Sequence, residues 1–363
     1  MSRGADRHVG IVGSGSIGSL LAAHLTLSDH RVTVVDGWFP HVERIRDDGV
    51  EIQAPDERVV ARLSAFNVDE LDRVEGRIDV LLVAVKAYDS AMAVRLMEPL
   101  LHADSLVVPV QNGMTDEMFT RLVPADRLLG CSVHVPAELT EPGKVTRYVA
   151  RDRRTFSVGE PRGGPGARAE QLAEIFEPAG ATEVTDDLMA TKWAKLAVNM
   201  MANAPAVNMM ANAPAGITGW TTHRLWSDPA SVPLLVRAAG ETLAVAEASG
   251  VRAGRVFGRF DPALFRAALG DASAAEEAAR ALGEIARERT GPSESRPSLL
   301  QDVDRGRRTE VRYLNGFVAA RGREVGVATP VNDALLMLVE DIDRRRLGKD
   351  PVNLDRLRKL AGE

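Results

Sequence analysis

The sequence has almost no cysteine and no long apolar run. Cys131 is the only cysteine among 363 residues, which excludes an intrachain disulfide and disfavours a zinc site built on thiolates. No segment has the roughly 18 uncharged apolar residues that a membrane-spanning helix needs, and the polar N-terminus lacks the apolar core of a signal peptide. These absences predict a cytoplasmic protein that does not enter a membrane.

The sequence also lacks an excess of positive charge. Its formal net charge is −6, and no cluster of lysine and arginine with interleaved aromatic residues occurs, so nucleic acid is excluded as an expected partner. With 45% hydrophobic and 26% charged residues, the chain can bury substantial cores. Because one hydrophobic core seldom serves a chain of this length, we expect two domains.

The stretch between residues 9 and 36 has the pattern of a nucleotide-binding unit. An apolar run leads into Gly13-Ser14-Gly15-Ser16-Ile17-Gly18, and a helix-compatible segment and a second β-branched run follow. This order of strand, glycine turn, helix and strand favours a dinucleotide site over an ordinary glycine turn of an α/β domain. We therefore predict an N-terminal Rossmann domain whose loop over residues 13–18 binds the cofactor.

The predicted site assigns different functions to its glycines and to one carboxylate, Asp36. Gly13 and Gly15 allow a tight turn and a close approach of the backbone to a pyrophosphate, while Gly18 lets the helix lie near the strand. The positive end of the helix then faces the phosphates. Asp36 ends the second β-branched run, where a carboxylate accepts hydrogen bonds from a ribose 2′-hydroxyl.

Two polar residues follow the next two predicted parallel strands. Lys86 comes after the apolar run 79–85, and Asn112 comes after the run 105–110. Ligands of open α/β sheets lie beyond the carboxyl ends of the strands, so both residues are predicted to line the cofactor site. Each residue alone is equally explained as a solvated loop lysine or as part of an Asn-Gly turn.

The composition changes near residue 186. Short strands and one helix fill residues 128–185, whereas later residues contain few β-branched runs and many alanine, leucine, glutamate and arginine residues, the composition of stacked helices. We predict an α/β Rossmann domain over residues 1–185 and an all-helical domain over residues 186–363.

The first helix of the second half carries a polar stripe. Lys195, Asn199 and Asn203 are spaced by four, which puts them on one helix face. The residues between them are apolar, so this helix is predicted to be buried. Buried amine and amide groups need polar partners or a wet cleft, which favours a functional site over a solvated stripe.

The same region contains a perfect repeat. Residues 198–206 recur without change as residues 207–215. Nine residues at about 100° each turn a helix by two and a half turns, so a continued helix would place Asn208 and Asn212 on the opposite face. Pro205 is also expected to kink or end the helix. We interpret the second copy as inserted helix or loop that does not duplicate the site.

Ser298 and Glu310 bracket a dense polar segment over residues 296–316. Together with the preceding motifs, this segment makes the chain resemble the ketopantoate reductase family, that is, 2-dehydropantoate 2-reductase and its relatives. The resemblance covers nearly the whole chain. Its further motifs are Val85-Lys86-Ala87, Gln111-Asn112-Gly113-Met114, Glu141-Pro142-Gly143, Trp193 and Gly326-Val-Ala-Thr-Pro-Val-Asn332.

The resemblance implies a fold and a reaction. A Rossmann domain and a helical domain similar to the C-terminal domain of 6-phosphogluconate dehydrogenase would flank a cleft where NADPH reduces a small 2-oxo acid, a step of pantothenate biosynthesis. A homodimer through the helical domain is also implied. The implied roles are proton donation by Lys195, contact with the substrate hydroxyl by Glu310, substrate binding by Ser298, Asn199 and Asn203, and cofactor contact by Lys86 and Asn112.

Alternatives stay open for the cofactor, for Glu310 and for the reaction. NADP-using members often have a basic residue after the second strand, but Asp36-Gly37-Trp38 stands here, so NAD(H) is predicted to serve at least as well as NADP(H). Glu310 alone is also explained as a surface carboxylate paired with Arg307, Arg308 or Arg312. The rival functions are a dehydrogenase of the same fold for another 2-oxo or 3-hydroxy acid, and a non-catalytic NAD(P) sensor.

Overall fold

The chain is described here by a computed structural model, which covers residues 7–164, 166–201, 212–288 and 297–362. It forms two compact units. One unit extends to Leu188, and the other begins at Met189.

The first unit contains twelve described strands and five described α-helices. The strands are β1 (His8–Val12), β2 (Arg31–Asp36), β3 (Val50–Gln53), β4 (Arg58–Ala61), β5 (Ser64–Asn67), β6 (Ile78–Val83), β7 (Leu101–Pro109), β8 (Gly130–Val133), β9 (Ala137–Glu141), β10 (Lys144–Arg147), β11 (Phe156–Gly159) and β12 (Thr182–Val184). The helices are α1 (Ser16–Leu27), α2 (Phe39–Asp48), α3 (Ser90–Met97), α4 (Asp116–Phe119) and α5 (Ala167–Phe176).

The main sheet is parallel and has the order β5-β2-β1-β6-β7. Val9 of β1 pairs with both Val32 of β2 and Val80 of β6. These strands are apolar along most of their length because both faces of a parallel sheet are covered. Smaller sheets have the orders β4-β3-β10-β9 and β12-β11-β8. The predicted Rossmann unit is confirmed.

The order of the main sheet places a ligand site. The chain runs outward from β1 to β2 and then returns to the other side of β1 with β6 and β7. The carboxyl ends of β1 and β6 therefore flank the position where the direction of winding reverses, which is where doubly wound folds bind nucleotides.

The secondary structure of the second unit is helical in its described residues, apart from one isolated bridge between Val256 and Phe260. Its helices are α6 (Leu188–Met201, whose first residue belongs to the first unit), α7 (Asn212–Thr218), α8 (Thr222–Ser227), α9 (Val232–Ala248), α10 (Pro262–Ala267), α11 (Ala272–Glu288), α12 (Ser298–Asp304), α13 (Asn315–Val325), α14 (Pro330–Asp343) and α15 (Asn353–Leu360). The predicted all-helical class is confirmed. None of the helices in the described ranges is long and apolar enough to cross a membrane.

Candidate functional site

The glycine loop after β1 requires glycine at two of its positions. Gly13 has φ +91°, and a Cβ there would lie 2.5 Å from the backbone nitrogen of Val85. A Cβ on Gly18 would lie 2.0 Å from the Gly13 oxygen. Gly15 differs because it is exposed and a Cβ there would meet nothing within 4 Å. The loop is therefore closed toward the sheet at Gly13 and Gly18 and open at Gly15.

The open side of the loop offers hydrogen-bond donors. Helix α1 begins at Ser16, immediately after Gly15, without a side-chain cap and without an acidic residue in its first turn. The first N–H groups of a helix have no intrahelical acceptor and carry its positive end. Ser16 and Ile17 are half-buried at this end. The loop therefore fits the pyrophosphate of a dinucleotide in both shape and charge.

Asp36 is hydrogen-bonded to the same loop. Its Oδ2 accepts from the backbone nitrogen of Ser14 and, at 2.8 Å, from Ser14 Oγ. Its Oδ1 accepts from the backbone nitrogen of Trp38 at 2.7 Å. These bonds fix the carboxylate beside the glycine loop. Because each carboxylate oxygen can accept more than one hydrogen bond, Asp36 retains the capacity to accept from a ribose hydroxyl.

His41 is a member of this loop network that sequence reasoning missed. The fully buried ring places Nε2 2.7 Å from the Ser14 oxygen, and Nδ1 accepts from the Gly143 nitrogen at 2.9 Å. Burial lowers the pKa of His41, so the ring is neutral at pH 7 and donates through Nε2 while accepting through Nδ1. Gly143 belongs to the Glu141-Pro142-Gly143 motif, but nothing local in the sequence indicates that this turn contacts His41.

Lys86 and Asn112 lie at the ends of neighbouring strands. Both are half-buried, and β6 and β7 pair in parallel through Val83 and Pro109. The side chain of Gln111 joins the two strand ends, because its Nε2 donates to the Val85 oxygen and to Ser90 Oγ, each at 2.7 Å. The structure thus places Lys86 and Asn112 at the edge where the glycine loop also begins.

Helix α6 buries the polar residues that the spacing singled out. Lys195 is 7% exposed and Asn199 is 4% exposed, among neighbours such as Leu196 and Ala197 that are almost fully buried. The ring of Trp193 packs against Phe317 of α13 at a centroid distance of 5.6 Å. Lys192, three residues before Lys195, is also buried, although sequence reasoning did not select it. The third predicted residue, Asn203, lies outside the described residues.

Ser298 contacts an asparagine of the second repeat copy. Ser298 Oγ donates to Asn212 Oδ1 at 3.1 Å, and the Leu299 nitrogen lies 3.4 Å from the same oxygen. The prediction for this copy is inserted helix or loop that does not duplicate the site, and the contact places one of its asparagines beside a predicted site residue. Helix α6 is described to Met201, and α7 is described from Asn212.

Glu310 is buried in a segment that α14 holds in place. Its exposure is 9%. The preceding residue, Thr309, donates from its nitrogen and, at 2.9 Å, from Oγ1 to the carboxylate of Asp343. Arg312 pairs with Glu340 at 2.6 Å. The burial of Glu310 disfavours its interpretation as an exposed surface carboxylate.

A buried polar network of Asn315, Asn332 and Glu241 contacts α6. Asn315 Nδ2 lies 3.0 Å from Met200 Sδ of α6 and 3.0 Å from Asn332 Oδ1. Asn332 Nδ2 in turn donates to Glu241 Oε2 at 2.7 Å, and the Val331 nitrogen donates to Oε1 at 2.9 Å. Burial raises the pKa of Glu241. Asn332, the last residue of the Gly326–Asn332 motif, is therefore a structural residue whose side chain links Asn315 to Glu241.

The described ranges contain no group of three or more histidine, cysteine, aspartate or glutamate side chains arranged to hold a metal ion.

Comparison with known proteins identifies the family. The model of the ketopantoate reductase PanE/ApbA family matches residues 9–163, and the model of its C-terminal domain matches residues 187–343. A 2-dehydropantoate 2-reductase of Halobacterium salinarum is 32% identical over 91% of this chain and 96% of its own length. One from Mesorhizobium japonicum is 29% identical over 91% and 95%.

Solved structures agree with this result. A PanE/ApbA family ketopantoate reductase from Ralstonia eutropha JMP134 superposes with a TM-score of 0.73 at 26% identity, covering 93% of this chain and 99% of that one. A D-mandelate dehydrogenase in complex with NADH and anilino(oxo)acetate gives 0.75 at 22% identity over 93% and 99%, which shows the fold alone. The family predicted from the motifs is confirmed: the chain belongs to the ketopantoate reductases, a family of oxidoreductases.

Proposed function

We propose that this protein reduces 2-dehydropantoate or a related small 2-oxo acid to the 2-hydroxy acid with NAD(P)H. The observation that carries the proposal is the burial of Lys195 and Asn199 one turn apart on α6. Burying such groups costs free energy unless they bind something. A sensor of NAD(P) that performs no chemistry has no need for a buried lysine there.

Lys195 is proposed as the general acid. The nicotinamide supplies the hydride when it is bound. Reduction leaves negative charge on the substrate oxygen. A nearby ammonium group would stabilise that charge and donate a proton to the oxygen. Glu310, which is buried in the segment that Thr309 fixes, is proposed to contact the substrate hydroxyl and Lys195. Both roles are transferred from the family resemblance to these positions.

Substrate binding is proposed for amide and hydroxyl side chains of the helical unit. Asn199 lies on the same face of α6 as Lys195, and Ser298 begins α12. Their neutral donors suit a carboxylate because they bind an anion without a counter-charge. Asn203, which lies outside the described residues, is proposed for the same role because the family resemblance implies it.

The cofactor is proposed to lie along the glycine loop. The backbone over residues 13–18 and the first turn of α1 would hold the pyrophosphate, Asp36 the ribose, and Lys86 and Asn112 the nicotinamide side.

We further propose that NAD(H) is used at least as well as NADP(H). A carboxylate at Asp36 disfavours a nearby 2′-phosphate because the charges repel. The three arginines nearest in sequence have partners elsewhere: Arg31 donates to the Glu75 oxygen, Arg44 pairs with Asp48, and Arg46 pairs with Glu70.

A panel of 2-oxo acids tests both proposals. Wild type and Asp36→Ala are assayed with NADH and with NADPH, using 2-dehydropantoate, unbranched 2-oxo acids and an aromatic 2-oxo acid. We expect the largest kcat/KM with 2-dehydropantoate or a close analogue, and a shift toward NADPH in Asp36→Ala. Turnover with none of the acids contradicts the reaction. A wild-type preference for NADPH of tenfold or more, about 1.4 kcal/mol, contradicts only the cofactor assignment.

A homodimer through the helical unit and a cytoplasmic location are also proposed. The single cysteine agrees with a reducing compartment. Light scattering of the purified protein at several concentrations tests the dimer, because a monomer mass at all of them contradicts it.

A further inference from the structure

We propose that His41 is a positioning residue for the cofactor: together with Ser19, it fixes the peptide group between Ser14 and Gly15 so that the Gly15 N–H points toward the pyrophosphate. This inference rests on the proposed function, because it concerns the loop that is proposed to bind NAD(P)H. It assigns a function to two side chains on the buried side of that loop.

The carbonyl oxygen of Ser14 accepts two hydrogen bonds from the interior of the first unit. Ser19 Oγ donates to it at 2.7 Å, and Nε2 of His41 lies 2.7 Å from it. Ser14, Ser19 and His41 are each 0% exposed, so bulk water does not compete for these hydrogen bonds. Two buried side chains therefore set the direction of this carbonyl group.

The direction of the Ser14 carbonyl also sets the direction of the next N–H. A trans peptide group is planar, so its C=O and N–H point in opposite directions. Because the Ser14 oxygen points toward His41 and Ser19, the Gly15 N–H points away from them. Gly15 is exposed, and a Cβ there would meet nothing within 4 Å. The N–H is thus directed to the open side of the loop, where the pyrophosphate is proposed to lie.

The opposite orientation of this peptide group would oppose cofactor binding. The Ser14 oxygen, rather than the Gly15 N–H, would then face the ligand. A carbonyl oxygen only accepts hydrogen bonds, and its partial negative charge repels a phosphate. Glycine leaves the backbone free to adopt many conformations. The loop therefore needs side chains that hold the orientation in which the N–H faces the ligand.

The second contact of His41 determines which of its ring nitrogens donates. Nδ1 accepts from the Gly143 nitrogen at 2.9 Å, so the proton of the neutral ring is on Nε2, which faces the Ser14 oxygen. Burial lowers the pKa of His41, against smaller opposing effects of the Ser14 hydrogen bond and of Asp36. The turn is held in its own place, because the Gly143 oxygen accepts from the Glu51 nitrogen at 2.8 Å.

The connection between β2 and α2 holds the peptide groups on both sides of Ser14. Asp36 Oδ2 accepts from the Ser14 nitrogen and Oγ, whereas His41 contacts the Ser14 oxygen. The Trp38 ring stacks on the His41 ring with 5.4 Å between centroids and 22° between planes, and the Trp38 nitrogen donates to Asp36 Oδ1 at 2.7 Å. This connection therefore fixes two successive peptide groups of the glycine loop.

Two variants of His41 separate its two hydrogen bonds. The amide nitrogen of glutamine reaches about the position of Nε2 and can donate to the Ser14 oxygen, whereas the amide oxygen of asparagine lies near the position of Nδ1 and can accept from Gly143. The probe is ADP-ribose, which carries the pyrophosphate without the nicotinamide.

We expect His41→Asn to bind ADP-ribose about tenfold or more weakly in calorimetry, the usual effect of losing a hydrogen bond to a charged group. His41→Gln should stay within about threefold of wild type, because it keeps the donor to Ser14. Equal affinities of the two variants, or weaker binding by His41→Gln, overturn the proposal.

His8→Asn is the matched control for a general loss of stability. His8 is a buried histidine at the start of β1, the end of that strand remote from the loop, and its Nε2 lies 2.8 Å from Thr33 Oγ1. We expect this variant to unfold at a lower temperature and to bind ADP-ribose within about twofold of wild type, because the lost hydrogen bond is not near the ligand. A loss of affinity equal to that of His41→Asn overturns the proposal.

Gly15→Pro tests whether His41 acts through the Gly15 N–H. Gly15 has φ −62°, a value that proline adopts, so the substitution removes the N–H while keeping that angle. We expect ADP-ribose to bind about tenfold or more weakly. His41→Asn should add less than about twofold to that loss in the double variant, because both changes affect one interaction. Normal binding by Gly15→Pro, or full addition of the two losses, overturns the proposal.

Ser19→Ala enters the same cycle in case His41→Asn does not fold. It removes the other donor to the Ser14 oxygen, so it should weaken ADP-ribose binding in the wild-type background but not in Gly15→Pro. Equal losses in the two backgrounds overturn the proposal.

Steady-state kinetics separates positioning from chemistry. In His41→Asn, the KM for NAD(P)H should rise about tenfold or more while kcat at saturating cofactor stays within about twofold, since the loss of an interaction that is equal in ground and transition states changes KM alone. A fall in kcat with an unchanged KM for the cofactor overturns the proposal.

Failure of this inference is distinguishable from failure of the proposed function. If wild type binds neither ADP-ribose nor NAD(P)H, the proposed cofactor site is wrong. If wild type binds them and only the variants depart from expectation, the proposed function stands and the assignment to His41 is wrong.

Discussion

The cofactor side and the substrate side of this protein are built in different ways. The cofactor side consists mainly of backbone: a six-residue glycine loop, the first turn of α1 and the ends of parallel strands. The proposed substrate side would consist of side chains from separate helical segments, namely Lys195, Asn199, Ser298 and Glu310, which are buried or partly buried. Binding on the cofactor side depends on space that glycine leaves free, whereas binding on the substrate side depends on particular polar groups.

This difference predicts different responses to mutation. On the cofactor side, added atoms should do the damage, because Gly13 and Gly18 have no space for a side chain. On the proposed substrate side, the removal of atoms should lower activity, because the amine, amide and hydroxyl groups there are proposed to contact the substrate. The following predictions test whether the two responses are separable.

The largest expected effect comes from Lys195→Ala. We expect kcat to fall by about a hundredfold or more, the usual range for the loss of a general acid. Lys192→Ala is the matched control, because Lys192 is buried on the same helix three residues earlier, and its kcat should fall far less. Steady-state kinetics with a 2-oxo acid decide the matter. A large loss of kcat in Lys192→Ala, together with near-normal turnover in Lys195→Ala, would show that Lys195 is not the general acid.

The second prediction separates two residues of the substrate side. Glu310→Gln should mainly lower kcat, because its contact develops as the substrate oxygen becomes a hydroxyl. Ser298→Ala should mainly raise KM, since a hydroxyl that binds a carboxylate acts similarly in the ground state and the transition state. Both parameters are measured for each variant together with thermal unfolding. If both variants change only the unfolding temperature, the polar cluster is structural.

The third prediction contrasts two glycines of one loop. Gly18→Ala should lower the free energy of unfolding by about 1–3 kcal/mol, the usual cost of overpacking, because its Cβ would overlap the Gly13 oxygen. Gly15→Ala should leave stability nearly unchanged and weaken NAD(P)H binding about tenfold, or about 1.4 kcal/mol. Denaturant unfolding and a fluorescence titration measure the two effects. Tight cofactor binding by Gly15→Ala would show that the backbone there does not approach the ligand.

The last prediction concerns pH and stability in the first unit. Burial, followed by the charges of Arg147 and Arg151, lowers the pKa of His24 from 6.5 to about 4. A depressed folded-state pKa gives stability that is present above pH 6.5 and lost as pH falls toward 4. We expect His24→Gln to lose less stability than wild type over that range, by up to about 3 kcal/mol.

Urea unfolding at several pH values measures this effect. His223→Gln is the control because His223 is exposed on α8. Identical pH dependence of His24→Gln and wild type would mean that the histidine is not held neutral by the fold.

The cofactor side was largely predictable from sequence. Buried parallel strands appear as continuous apolar runs, and a glycine loop between a strand and a helix is local in sequence. His41 was missed because its partners, Ser14 and Gly143, are brought to it only by the fold. Local patterns predict local geometry, but they do not indicate which distant turn packs against a loop.

The substrate side was predictable only in part. The spacing of Lys195 and Asn199 indicated a buried face, and both residues are buried. The contact between Asn212 and Ser298 was not predicted, because only the fold brings the two residues together. The contacts that place Asn212, those with Ser298 and Leu299, lie more than eighty residues away in sequence.

The affinity of Lys195→Ala for NAD(P)H is the measurement that tests the separation of the two sides most directly. It is obtained by fluorescence titration of the same protein sample whose turnover is measured. If backbone binds the cofactor and Lys195 performs the proton transfer, kcat falls about a hundredfold or more while the dissociation constant stays within about twofold of wild type. A tenfold weaker dissociation constant, about 1.4 kcal/mol, would contradict the account, because Lys195 would then hold the cofactor.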